Sequence, residues 1–576
     1  MSGQHGMPAA GVCLFGVALI WGLLAVGTAG ADDDTALRIG RVTIDNGDVF
    51  SAEEVDDVGG AERLLRRGMN GLHIKTREHI LRRELLFATG DIYDPEALAE
   101  TERNLRNLGF LNQVTVVAVD TLADGIVDVL VKARDSWSLQ ATLAWSLASS
   151  GDQRWKVKLS ERNFMGYGFT LGAGIGGDEI RNYWETFYRQ RRLFGSNIGA
   201  GFDYSESEDG HYRSFYLQRH FHAQDDPWGG HIQGWDSQAN HRWYLSNGGP
   251  AGDDPGRYAS LYTLIPRHEK GGELSLLVRA GSRDAQRFWR LGGGARVTDT
   301  SFYLGETSLL SDGRVEDLSW LRGPEGTMIR DEGRRVHAFA ALQSVGRHWT
   351  KSRFVMQYGP VEDIPLSSFL DLRIGPAGSQ TGSTTAWGED VWRAEGVLSK
   401  WWRHHRSHFL LRAVALVETG SERVQRRRGD LTLGWVGQTG ASNTPWLGRV
   451  FVEGGQGTGL GGLDAFVLGL GRGLRTLDFD GMAGDRLVRW NAEIGKVSPW
   501  EILGLFRMGA AAFYGAGRAW WHDEDFAVAG LRHEAGCGLR FGPLRSGNSQ
   551  VARLDVSWGL DGSVGPVLTA ASGGYF

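Results

Sequence analysis

The sequence predicts a large antiparallel membrane β-barrel preceded by a small α+β domain, and three observations carry that prediction. The chain of 576 residues holds 84 glycines and 22 tryptophans, yet is 41% hydrophobic and 23% charged. Glycine and aromatics at that frequency suit many strands and turns. A strand wetted on one face and lipid-covered on the other averages to such moderate hydropathy. From Ser136 onward no stretch of a dozen residues keeps a helical period, while short alternating runs recur between Gly, Asp, Asn and Pro clusters. Residues 37–134 differ, because helical periods appear there.

Length and charge narrow the classes. A chain this long exceeds one ordinary soluble core. Its net charge of −6, without a long basic block, gives nucleic acid no electrostatic footing as a partner. Only Cys13 and Cys537 occur, so a disulfide framework or a cysteine zinc site is not expected in a mature chain lacking the first of them.

Residues 1–31 contain no Lys, Arg, Asp or Glu, include the apolar run Ala9 to Val26, and end in Ala29-Gly30-Ala31 before three aspartates. This reads as a signal peptide cleaved after Ala31. The alternative is one membrane-anchoring helix, although secretory signals normally carry a basic residue at their start.

In residues 37–134, Leu37 to Ile44 alternates like a strand, and Thr76 to Leu86 and Asp94 to Leu108 read as helices. The second helix has Asp94 to cap it, Pro95 at its first position, Glu96 in its first turn and Gly109 beyond its end. Strands at Gln113 to Val119 and Gly125 to Arg134 follow. The β-α-α-β-β order and the wording LLFATGDIYDPEALAETERNLRNLGFLNQVTV, Leu85 to Val116, resemble a POTRA domain. The resemblance implies a periplasmic module whose edge strand takes up extended polypeptide clients, since an edge offers unpaired backbone groups largely regardless of sequence. A plain spacer is the alternative. Residues 45–75 form an insertion longer than the usual POTRA turn, with an extra helix expected at Ala61 to Arg67.

Residues 136–576 make the expected outer-membrane barrel. Roughly 25 to 30 residues per strand and connection give about 16 strands. In Val551 to Leu560, Ala552, Leu554, Val556, Trp558 and Leu560 share one face and Arg553, Asp555 and Ser557 the other. In Glu534 to Phe541, Glu534, Gly536, Gly538 and Arg540 oppose Ala535, Cys537, Leu539 and Phe541. Aromatic residues suit interfacial girdles, and Tyr575-Phe576 ends the chain, with Phe576 resembling a barrel assembly signal. ERNFMGYGFTLG (Glu161 to Gly172), RRLFGSNIGAGFDY (Arg191 to Tyr204) and LQRHFHAQDDPWG (Leu217 to Gly229) are similar to opening strands of the BamA/TamA superfamily of outer-membrane insertases and translocases. Gly473 to the end is similar to its closing strands.

That family carries a Leu/Val-Arg-Gly-Tyr/Phe loop folded back into the barrel, its arginine contacting wall carboxylates. The matching residues are Leu474, Arg475, Thr476 and Leu477, so the arginine is kept and the glycine and aromatic are not. An arginine enclosed by a barrel must be paired or hydrated, and a carboxylate offers a bidentate partner. Alternation in Arg486 to Gly495 sends Leu487, Arg489, Asn491 and Glu493 into the lumen, which makes Glu493 the expected partner of Arg475. Glu493 also matches one family strand carboxylate. The family's second carboxylate lies in Phe-x-Asp-x-Gly, where Phe513-Tyr514-Gly515-Ala516-Gly517 puts Gly515 in place of the aspartate. The lock is therefore expected to be looser, or rebuilt around another residue.

Other clusters read as structural. His404, His405 and His408 sit beside Trp401 and Trp402 in a turn at the membrane interface, and Asp253 and Asp254 in a Gly- and Pro-flanked loop. GTGLGG, residues 457–462, lacks a following helix, so it is no dinucleotide site. No metal, cofactor or enzymatic chemistry is expected. The resemblance implies a bacterial outer-membrane protein that helps insert or translocate polypeptides. Its partners would be outer-membrane lipid, extended polypeptide clients at the POTRA edge strand and accessory periplasmic proteins. The alternatives are a structural barrel or passive pore, and a lipid-handling or secretion transporter.

Overall fold

The computed structural model describes residues 36–572, apart from 122–124, 149–150, 251–257, 284, 323–331, 381–390, 421–423, 480, 547–550 and 561–564. The signal peptide at 1–31, Asp253 and Asp254, and the terminal Phe576 lie outside the described residues.

The N-terminal domain contains β1 (Arg38–Gly47), α1 (Ala52–Asp56), α2 (Gly60–Leu72), α3 (Glu78–Arg82), α4 (Pro95–Arg106), β2 (Leu111–Thr121) and β3 (Ile126–Asp135). Its sheet has the order β1-β3-β2, with β1 parallel and β2 antiparallel to β3. Asp94 accepts from the Glu96 amide, and Pro95 opens α4 as its sequence demands. The apolar faces of α3, α4 and the sheet meet in a core containing Ile39, Leu81, Leu98, Leu105, Phe110 and Val129. The insertion expected at 45–75 supplies α1 and α2. It also makes a satellite core of Val49, Phe50, Val55 and Met69, against which Trp137 and Leu505 of the barrel pack.

Twenty antiparallel strands, from Leu139–Leu147 to Val567–Ser572, close into a barrel. The sequence estimate of sixteen falls short because several connections are tighter than it allowed, such as those between Ser207 and Gly210 and between His404 and Ser407. Side chains alternate as lipid and lumen require: Leu554 and Trp558 are exposed while Asp555 and Ser557 are buried. Along Arg532–Pro543, Leu539 and Cys537 face outward, whereas Glu534 and Arg540 are fully buried within. At the seam, among the described residues, Val567–Ser572 pairs with Leu139–Leu147 at Thr569 with Ser146 and Ala570 with Trp145.

Two inward connections fill the lumen from opposite ends. At the end away from the small domain, residues 459–485 carry a short hairpin, Phe466–Leu468 with Met482–Gly484, and a core of Leu460, Phe466, Leu468, Leu474, Leu477 and Met482. At the near end, residues 347–368 carry the hairpin Trp349–Ser352 with Glu362–Pro365. They bury Phe354, Val355 and Tyr358 completely or nearly so. Lumen-facing glycines admit this second loop, since a Cβ at Gly542 would stand 2.1 Å from the Tyr358 Cβ.

The small domain lies across the near mouth. Arg106 of α4 makes a bidentate pair with Asp363 at 2.7 and 2.8 Å, and Lys351 reaches Glu102 at 2.5 Å. Asn104 donates to the His222 carbonyl, Glu100 accepts from the Gln224 amide, and Arg192 pairs with Glu84. Arg545 bonds Glu54 of α1. Charge-assisted contacts of this kind fix orientation at several turns of the mouth at once.

Candidate functional site

The loop 459–485 delivers Arg475 to the inner wall. Its backbone amide donates to Glu534 Oε2 at 2.6 Å, its Nη1 to Glu534 Oε1 at 3.2 Å, and its Nε to Asp555 Oδ2 at 3.1 Å. The Thr476 amide and hydroxyl bond the same Glu534 oxygen, at 3.0 and 3.3 Å. The Arg475 guanidinium also lies 3.8 Å from the centre of the Phe513 ring. Leu474, Thr476 and Leu477 are all buried. Thr476 thus serves as a donor and Leu477 as part of the loop's core.

Glu493 is not the direct partner. Its carboxylate faces the lumen as alternation predicts, but it pairs with Arg540 at 2.7 Å and Arg449 at 3.1 Å. Arg540 in turn bonds Asp555, which bonds Arg475. The correction has a geometric cause: alternation selects the face, while neighbour choice depends on register between strands. Register puts Gly515 directly opposite Glu534. A Cβ at Gly515 would meet Leu474 Cδ2 at 3.0 Å and Glu534 Cγ at 3.3 Å. Glu534, on the strand beside Gly515, supplies a carboxylate that Arg475 meets, and the space beside Gly515 holds Leu474.

The six groups Glu534, Arg475, Asp555, Arg540, Glu493 and Arg449 form a chain of alternating sign. These six balance three carboxylates against three guanidiniums in a lumen where an unmatched ion would cost several kcal/mol, and Arg553, inward on the same strand as Asp555, adds a further cation within electrostatic reach of Arg475, Asp555, Arg540 and Glu493. Arg449 also donates to the carbonyls of Phe354 and Val355, both at 3.3 Å. Glu362 accepts from the amides of Val355, Met356 and Gln357 and so pins that turn. The chain of contacts hence runs from the far-end loop, along the wall, to the near-end loop that holds Arg106 of the small domain. Burial alone would raise the Glu102 carboxyl at that contact, but Lys351 and Arg106 outweigh it and hold the group below its ordinary range.

His404 and His405 are exposed in their turn while His408 is buried, and Trp402 stacks on Phe409 at 5.6 Å. Glu534 and Asp555 lie on the polar faces read from the sequence, yet nothing in alternation singles them out as partners of Arg475.

Residues 67–134 match the POTRA family model, described as surface antigen variable number repeat. A curated relative, the outer membrane protein assembly factor BamA of Neorickettsia risticii, is 26% identical over 142 residues, which is 24% of this chain and 19% of that protein. The alignment thus spans about a fifth of the relative. Among solved structures, BamA of Haemophilus ducreyi lacking POTRA domains 1–3 is 12% identical with a TM-score of 0.36, over 95% of this chain and 85% of the other. CdiB from Escherichia coli is 10% identical with a TM-score of 0.41, over 99% and 100%. With a POTRA domain preceding a closed antiparallel barrel, and a BamA among its curated relatives, the chain is similar to BamA/TamA-like proteins, and the same features support a place in the outer membrane with the POTRA domain in the periplasm.

Proposed function

We propose that this protein assists the insertion of polypeptides into the outer membrane, or their translocation across it, through an opening in the barrel wall. The observation that carries the reading is the seam between Leu139–Leu147 and Val567–Ser572, held through the pairs Thr569–Ser146 and Ala570–Trp145. Among the described residues the neighbouring strands share longer registers, so separation at the seam breaks the fewest ladder bonds there. An opened seam presents two strand edges, and such edges template an incoming extended chain. The outer edge of β2 pairs with no strand among the described residues and offers the client a first docking place. No covalent bond is made or broken in this mechanism.

The lumenal lock supports the same reading by closing the pore while the wall opens. Two inward loops held by buried ion pairs favour a plugged barrel over a passive channel. The test is reconstitution of the purified protein into liposomes. Faster insertion of an unfolded barrel client, without solute flux, is expected; solute flux with no effect on the client would establish the pore instead.

A further inference from the structure

Three strands that are consecutive in the chain and in the sheet, Gly210–Arg219, Trp228–Pro250 and Tyr258–Ala280, gather His211, Asp236 and His268 on the outer face of the barrel. Register places Gln238 opposite both histidines, and Asp236 two residues nearer the POTRA end. The same outward face carries the exposed apolar residues Phe215, Leu217, Ile232 and Leu274 closer to that end. At about 3.3 Å per residue, Asp236 stands roughly 13 Å along the strand from Ile232. The turn preceding Trp228 contacts α4, so this direction leads away from the periplasm. The cluster thus sits beyond the apolar band, at the level of the outer-leaflet headgroups.

The two imidazoles converge on one carboxylate oxygen. His268 Nε2 lies 2.8 Å from Asp236 Oδ1 and His211 Nε2 lies 3.4 Å from it. All three candidate ligand atoms fall within 4.8 Å of one another. His211 Nε2 is shielded from solvent and finds no hydrogen-bond partner among the described residues. A hydrogen-bonded His268–Asp236 pair explains one imidazole and leaves the other aimed at an oxygen without a bond.

We infer that His211, Asp236 and His268 form a Zn2+ site that staples three adjacent strands at the extracellular side of the barrel. Two imidazole nitrogens and a carboxylate oxygen are a common zinc donor set, with the fourth position left to water or an outside ligand. Tetrahedral bonds of about 2.0 to 2.2 Å separate ligand atoms by roughly 3.4 Å. The His211–Asp236 gap already meets that spacing, and the His268–Asp236 gap must widen by about half an ångström. Lys270 Nζ, 3.9 Å from Asp236 Oδ2, is the competing cation; its side chain is 59% exposed and has room to swing into solvent. The ligands are held in place by ladders between consecutive strands, so the metal binds a frame already assembled.

The test uses untagged, folded full-length protein, stripped with a chelator and titrated calorimetrically with Zn2+. One ion per chain is expected. Affinity should fall at least about tenfold in each of His211→Gln, Asp236→Asn and His268→Ala, and be unchanged in His404→Ala, whose imidazole is exposed at the opposite end of the barrel. Zn2+ should also raise the temperature at which the wild type loses its folded gel mobility, and should not do so in these three variants. The folded mobility of each variant before heating separates lost ligands from lost fold. The absence of stoichiometric binding, or binding equal in the three ligand variants and the wild type, overturns the site and leaves a plain His–Asp hydrogen bond.

Discussion

Arg475 owes its place to two carboxylates on neighbouring strands, Glu534 and Asp555, and to the Phe513 ring beneath it. Removing the guanidinium leaves Glu534, fully buried, without its counter-ion. Arg475→Ala is therefore expected to destabilise the folded barrel by about 3 to 5 kcal/mol, measured from denaturant midpoints. Glu534→Gln in the same chain should recover part of that loss, with a coupling of at least about 1 kcal/mol. Glu493→Gln should couple to Arg475→Ala more weakly, because Asp555 and Arg540 stand between them. Gly515→Asp crowds Leu474 and adds a carboxylate beside Glu534. It should lower folded yield, at a cost of about 1 to 3 kcal/mol, and Glu534→Gly should relieve it, as measured by heat-modifiable gel mobility. The sequence was legible as far as alternation reaches: it put Glu493 on a lumenal face, and Glu534, Arg540 and Asp555 on the faces opposite the apolar residues of their strands. Pairing among them depends on strand register across three hairpins, which no local pattern encodes. For the same reason His211, Asp236 and His268, spread over 58 positions of the chain, drew no notice as a group.

Among the elements, the near-end connection 347–368 does most to join the POTRA domain to the barrel. Arg106 and Glu102 on α4 grip it through Asp363 and Lys351, while Arg449 holds its backbone inside the lumen. Because the folded Glu102 carboxyl titrates below its ordinary range, its contribution to docking is present above about pH 4.5. That contribution is lost as pH falls through the folded value. Hydrogen exchange in α4, corrected for intrinsic rates, should accordingly rise on acidification below that point, and Glu102→Gln should flatten the dependence. The helix itself was readable from Asp94, Pro95 and its apolar spacing. Helix α3 was not: the expected span Thr76 to Leu86 shortens to Glu78–Arg82, where the chain turns so that Leu81 and Phe87 can both enter the core. The inward course of 347–368 left no periodic trace, since its anchors are single residues such as Tyr358 meeting glycines on distant strands.

For the whole molecule, the proposed function makes opening of the wall at the seam the central event, in a barrel with two inward loops and a POTRA domain docked at its mouth. The fold class was legible because lipid and lumen impose alternation on every strand, whereas the strand number was not, because turn lengths vary independently of it. The most direct measurement is a cross-link over the seam. Ser146→Cys with Thr569→Cys, in a Cys537→Ser background, places thiols on directly paired residues. The reduced protein is expected to accelerate client insertion into liposomes as the wild type does, and the oxidised protein to lose that acceleration while keeping its folded gel mobility. Full client insertion by the oxidised, folded protein would contradict the account.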